Sequence, residues 1–148
     1  MNRSPDELEQ WVVDRLVKAL YRDRLLALRT RSRERFIALL FRTHRQAPLG
    51  IESADVWRSE AFERIPASLQ GHRGLVGLLL SIQPMPWYVI AQTDLDRRRV
   101  DPSELIQNMH MAGLIAVADD LASAYLELEG QNTSWVAGTA KRILDRSS

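Results

Sequence analysis

Two segments of the chain carry the residues that begin an α-helix, and they constrain the fold more than any other feature. Ser4-Pro5-Asp6-Glu7 has serine at the N-cap, proline in the first turn and glutamate where it completes a capping box. Asp101-Pro102-Ser103-Glu104 repeats this arrangement with aspartate at the N-cap. We therefore predict that one helix begins at Pro5 and another at Pro102.

After Pro5, apolar residues recur on one helical face from Leu8 to Phe41, at about 100° per residue. This pattern allows one long helix. However, Glu34 would lie within the apolar face, and Thr30 or Ser32 can cap a new helix. We favour a break near residue 30.

After Pro102, a helical pattern runs to Glu129 and stops at Gly130, which predicts a long central helix. Small residues such as Ala116 would let another helix approach it closely. Thr133 or Ser134 can cap a last helix, from Trp135 to about Leu144.

The middle of the chain gives weaker signals. Ala54 to Ile65 has a helical pattern that Pro66 ends, and Pro66 to Gln83 has a helical pattern interrupted near Gly71. Residues 87–91 have the composition of a strand but no convincing second strand to pair with. They form either an extended buried segment or the start of another helix.

Together these signals predict an all-α fold: a single-domain bundle of five or six helices over residues 1–148, with a short extended segment near residues 87–91 as the open alternative. A chain of 148 residues that is 45% hydrophobic can bury a core without metals or disulfides. The absence of cysteine excludes thiolate zinc sites and cysteine nucleophiles.

The first residues carry acids among their apolar positions and lack the basic start of a signal peptide. The apolar stretches are far shorter than the roughly 20 residues that cross a bilayer. We expect a cytoplasmic protein without a membrane segment.

Arginine is concentrated near the N-terminal end. Residues 1–45 hold 11 basic and 6 acidic residues, a net charge of +5, whereas residues 46–148 carry −4. On a helix, Arg24, Arg31, Arg35 and Arg42 would form one stripe, and Arg22, Arg29 and Arg33 would form another. These stripes could bind phosphates or an acidic partner, or they could dock one half of the fold on the other.

The motifs of catalysis are missing from the sequence. His44, His72 and His110 have no carboxylate at the helical spacing of a metal site, and no P-loop or dinucleotide-binding glycine pattern occurs. We therefore predict no catalytic residues, no metal and no cofactor. The composition favours a non-enzymatic helical interaction module, as a homo-oligomer or a small subunit of a larger assembly.

The alternative is an RNA- or DNA-binding protein that uses the Arg22 to Arg45 segment. Gly71-His72-Arg73-Gly74 would add a secondary contact, because its G-x-x-G form resembles the loop with which KH domains hold a nucleotide backbone. That resemblance covers four residues and implies a sheet that the sequence does not predict.

Six arginines are the candidate partner- or phosphate-binding residues: Arg22, Arg24, Arg31, Arg35, Arg42 and Arg73. Because the two halves have opposite charge, we expect at least two of Arg22, Arg24, Arg31 and Arg35 to lie near acids of residues 46–148 or of a second copy.

Overall fold

The computed structural model describes residues 4–40, 56–65, 77, 85–91, 97–108, 113–119, 123–127 and 134–142. Three helices come first and a sheet follows. In chain order the elements are α1 (Pro5–Leu16), α2 (Ala19–Arg31), α3 (Arg33–Leu40), a 3-10 turn (Ser59–Ala61), β1 (Phe62–Arg64), β2 (Trp87–Ala91), β3 (Arg98–Val100), α4 (Pro102–Gln107), β4 (Leu114–Ala118), β5 (Ser123–Glu127) and β6 (Ser134–Gly138). Residues 139–142 are helical.

The strands form one six-stranded antiparallel sheet in the order β1-β6-β5-β4-β2-β3. The register of β2 against β4 shifts between Val89 and Ala91, so Ile90 has no partner in that ladder. Such a bulge turns backbone groups away from the ladder and makes them available to other partners.

Both faces of the sheet are buried, which explains why its strands are apolar without alternation. Side chains such as Tyr88, Ile115 and Leu126 pack on one face with the buried residues of α1, α2 and α3. Side chains such as Trp87, Ala116 and Tyr125 pack on the other face with Leu105 of α4. The sheet is therefore the middle layer of the described structure.

The predicted helix starts are confirmed. Ser4 and Glu7 form a complete capping box at the start of α1. The Asp101 carboxylate accepts a 2.8 Å hydrogen bond from the Glu104 N–H at the start of α4.

The predicted break near residue 30 is also confirmed, since α2 ends at the C-cap Ser32 and α3 begins at Arg33. A second break, after Leu16, was not predicted. There the chain bonds to a distant segment: the Lys18 N–H donates to the Val56 carbonyl, and the Arg58 N–H donates to the Leu16 carbonyl, each at 2.8 Å. Residues 56–58 thus supply hydrogen-bond partners to backbone groups of residues 16–18 that would bond within the helix if it continued.

The all-α prediction is wrong, because the described strands form a six-stranded antiparallel sheet. The assignment of residues 1–148 to a single domain stays a prediction. The largest error is the long helix predicted from Pro102 to Glu129. Only α4, which ends at Gln107, is helical in the described part of that segment, and most of the remaining described residues belong to β4 and β5. A short apolar run such as Leu114–Ala118 has no period that separates a buried strand from a buried helix, and both faces of this strand are covered.

Two more predicted helices contain a strand. The segment from Trp135 begins in β6, and among its described residues only 139–142 are helical. Phe62–Arg64 is the edge strand β1, although the Ala54 to Ile65 pattern predicted a helix. In contrast, the extended alternative for residues 87–91 is confirmed, because they form β2. The helix predicted from Pro66 to Gln83 lies outside the described residues except for Gly77, which is helical.

Candidate functional site

The arginines of α2 and α3 separate into two sets that differ in burial and in partners. Arg22, Arg29 and Arg33 are half-buried and reach toward the rest of the protein; we call them the inward arginines. Arg24, Arg31 and Arg35 are exposed; we call them the outward arginines. The division follows the two helical stripes that the sequence predicts.

Two inward arginines tie α2 to α1. The Arg22 guanidinium donates to the Asp14 carbonyl at 3.2 Å, in the last turn of α1. That carbonyl lacks its usual helical donor, because the Lys18 N–H bonds to Val56 instead. Arg29 donates to the Asp6 carbonyl at 3.0 Å, in the first turn of the same helix. α2 is thus attached near both ends of α1.

Arg33 ties α3 to both α1 and the sheet. Its guanidinium forms a 3.0 Å ion pair with the Glu9 carboxylate and also donates to the Ile90 carbonyl at the bulge of β2. The guanidinium lies 5.3 Å from the centre of the Phe36 ring, a cation–π distance. The bulge supplies the backbone acceptor that fixes α3 against β2.

Glu9 is the centre of this buried network. Its side chain is 2% exposed and accepts a 2.6 Å hydrogen bond from the Tyr88 hydroxyl as well as the Arg33 bond. Burial, and then the hydrogen bond to Glu9, raise the pKa of Tyr88 to about 12. A buried carboxylate with an arginine and a tyrosine as partners joins α1, α3 and β2 in one arrangement.

Glu9 was not predicted as a functional residue, although the sequence contains a signal for it. Glu9 lies three and four residues before Val12 and Val13, inside the apolar face of α1. A carboxylate in such a position needs partners, because an unpaired buried charge costs several kcal/mol.

Two of the outward arginines, Arg24 and Arg35, border a shallow pocket on the surface of α2 and α3. The pocket has a volume of about 300 Å³ and is lined by Arg24, Leu28, Arg35, Ala38 and Leu39. The two arginines provide positive charge around an apolar surface. This outward arginine surface, with its pocket, is the candidate binding site.

The expected pairing of arginines with acids of residues 46–148 is not found in the described part of the chain. Within that part, Arg22, Arg24, Arg31 and Arg35 have no ion pair with any of those acids. The described acids of residues 46–148 that form ion pairs do so with arginines of the same region: Arg58–Glu60, Arg98–Glu104 and Arg99–Asp119. Contact with acids of a second copy stays a prediction.

The remaining candidate residues lie outside the part of the chain that the structure describes. Arg42 and Arg73 lie outside the described residues, as do Gly71 to Gly74 and all three histidines. Among the residues that the structure describes, no group of three or more histidine, aspartate or glutamate side chains could hold a metal ion.

A second buried polar cluster lies on the opposite face of the sheet. The Tyr125 hydroxyl donates a 2.8 Å hydrogen bond to the Glu127 carboxylate, both on β5. Burial, with the Glu127 charge as the next cause, raises the pKa of Tyr125 well above its ordinary value. This cluster is enclosed in the core and lies apart from the outward arginines.

Comparison with protein-family models, curated proteins and solved structures finds no significant match. Across the described ranges, no helix combines the length and the apolar composition needed to cross a membrane.

Proposed function

We propose that this protein is a non-enzymatic interaction module, a homo-oligomer or a small subunit of a larger assembly in the cytoplasm. Its binding surface is the outward arginine surface. The observation that carries the proposal is that Arg24, Arg31 and Arg35 are exposed and have no ion pair within the described residues, on helices whose inward arginines are all engaged.

The charge of this surface suits an acidic protein partner. Residues 19–40 contain six arginines and two acids, a net charge of +4. Positive charge on a protein surface attracts acidic partners and speeds their association, while exposed pairs add little affinity each. The charge of this surface should therefore determine which partner binds and in which orientation, more than how tightly it binds.

The inward arginines support the proposal because they fix the positions of α2 and α3 before a partner binds. Arg22 and Arg29 attach α2 to α1, and Arg33 attaches α3 to Glu9 and to β2. A preformed surface loses less conformational entropy when it binds.

The test compares two triple variants with the same change in charge. Arg24→Gln/Arg31→Gln/Arg35→Gln removes the outward arginines, and Arg15→Gln/Arg64→Gln/Arg142→Gln removes exposed arginines elsewhere. Sedimentation equilibrium measures self-association, and affinity purification from cells with quantitative mass spectrometry measures partner recovery. We expect the first variant to lose whichever association the wild type shows and the second to retain it. Equal behaviour of the two variants, or a wild type that is monomeric and recovers no partner, would overturn the proposal.

The second candidate is an RNA- or DNA-binding protein that uses the Arg22 to Arg45 segment. The same exposed guanidiniums favour it, since arginine binds phosphate well. If it holds, the logarithm of affinity should fall with the logarithm of salt concentration, and each outward arginine removed should reduce that slope by about one unit. Absence of binding at low salt would remove this candidate.

A further inference from the structure

We infer that the pocket between α2 and α3 binds one apolar side chain of an acidic amphipathic segment on a different protein, with carboxylates of that segment on Arg24 and Arg35. This rests on the proposed function and names the partner chemistry of the same surface.

The size of the pocket limits what it can take. Its volume of about 300 Å³ is at the lower end of the range for ligand pockets, and it opens on the surface. Leu28, Ala38 and Leu39 give it apolar walls without a described carboxylate among the lining residues. A single apolar side chain fits these walls, whereas a cofactor of ordinary size would project from them.

The charges of the pocket specify what accompanies that side chain. Arg24 and Arg35 line the pocket and have no ion pair within the described residues. Asp23 and Glu34 precede them in sequence but do not line the pocket. These two carboxylates therefore do not neutralise the positive charge that the guanidiniums present to a ligand in the pocket. Guanidinium groups bind carboxylates in a bidentate manner. An acid three or four residues from an apolar anchor lies on the same face of a helix.

A second copy of this chain offers few free carboxylates from residues 46–148, because most described acids of that region are already engaged. Glu60, Glu104 and Asp119 pair with arginines, and Glu127 accepts from Tyr125. Asp101 caps α4. These carboxylates would have to break existing contacts to reach Arg24 and Arg35 of another molecule.

Nucleic acid is also a poorer occupant of the pocket. Single-stranded nucleic acid is usually held by a basic surface together with aromatic side chains on which the bases stack. None of the described residues that line the pocket has an aromatic side chain.

The experiment is a selection from a random library of displayed peptides against the full chain, followed by affinity measurements on the enriched peptides. The Arg24→Gln/Arg35→Gln variant removes both charges, and Arg31→Gln is the control, since Arg31 is exposed but does not line the pocket. Ala38→Trp fills the pocket and keeps both charges; Ala38 is exposed, so the variant should fold. Circular dichroism checks each variant.

We expect the enriched peptides to share an apolar residue with aspartate or glutamate three or four positions away. Their affinity should fall about tenfold or more in Arg24→Gln/Arg35→Gln and in Ala38→Trp, and less than about threefold in Arg31→Gln. Single-stranded RNA and a second copy of the chain should not compete for the pocket.

Three results would overturn the inference. They are the absence of an acidic and apolar motif, undiminished binding to Ala38→Trp, and displacement of the peptides by RNA or by excess unlabelled chain. If Arg31→Gln weakens binding as much as the pocket variant while Ala38→Trp has no effect, the inference fails and the outward arginine surface remains the binding surface. If no arginine variant changes binding, the proposed function fails as well.

Discussion

Glu9 is the residue on which the arrangement of α1, α3 and β2 depends. Because its carboxylate accepts a 2.6 Å bond from Tyr88, the two side chains should be energetically coupled. We expect a double-mutant cycle of Glu9→Gln and Tyr88→Phe, measured by urea denaturation, to give a coupling free energy of about 1–2 kcal/mol.

Glu9→Gln with Tyr125→Phe is the matched control. Tyr125 packs on the other face of the sheet, so these two changes should be additive within about 0.5 kcal/mol. Coupling as large in the control would argue against a direct Glu9–Tyr88 bond.

The tyrosines of the two buried clusters should also make stability depend on alkaline pH. The folded-state pKa of Tyr88 is raised to about 12, above the ordinary value of 10.0. The folded state therefore holds its proton more tightly, and stability should be complete below pH about 10 and fall as pH rises from about 10 toward 12. Tyr88→Phe should reduce this fall, as denaturation midpoints at a series of pH values would show. In absorbance titrations, Tyr88→Phe and Tyr125→Phe should each remove one late-titrating tyrosine, and an unchanged late fraction in both would contradict the assignment.

At the scale of elements, the sequence predicted helix starts well and the sheet poorly. The side chains of Ser4 and Asp101 accept hydrogen bonds from residues only three positions later, so the sequence alone indicates these caps. The strands depend on partners far apart in the chain, such as Trp87 opposite Ala118. Alanines that suggested close helix packing fill buried strands instead. The two arginine stripes were predicted from helical spacing, but the network of Glu9 required knowledge of where β2 lies.

The cap of α1 gives a prediction for that element. Ser4→Ala removes the hydroxyl that accepts the Glu7 N–H at 3.2 Å. The free energy of unfolding should fall by about 1 kcal/mol, because one N–H of the first turn loses its partner. Ser103→Ala is the control, since Ser103 is exposed in the first turn of α4 and does not occupy its cap. It should change stability by less than about 0.5 kcal/mol, in chemical denaturation monitored by circular dichroism. Equal losses would mean that the capping box adds nothing to α1.

Over the whole molecule, we propose two separate roles for one arginine-rich segment. The inward arginines attach the helices to each other and to the sheet, and we propose that the outward arginines bind a partner. Two triple variants with equal loss of charge separate these roles: Arg22→Gln/Arg29→Gln/Arg33→Gln and Arg24→Gln/Arg31→Gln/Arg35→Gln.

The most direct measurement is the free energy of unfolding of these two variants beside the wild type. The inward variant should lose about 3–5 kcal/mol, because the buried Glu9 carboxylate and two carbonyls of α1 lose donors. The outward variant should stay within about 0.5 kcal/mol of the wild type for each substitution. Equal destabilisation by the two variants, or a larger loss in the outward one, would contradict the division of the arginines.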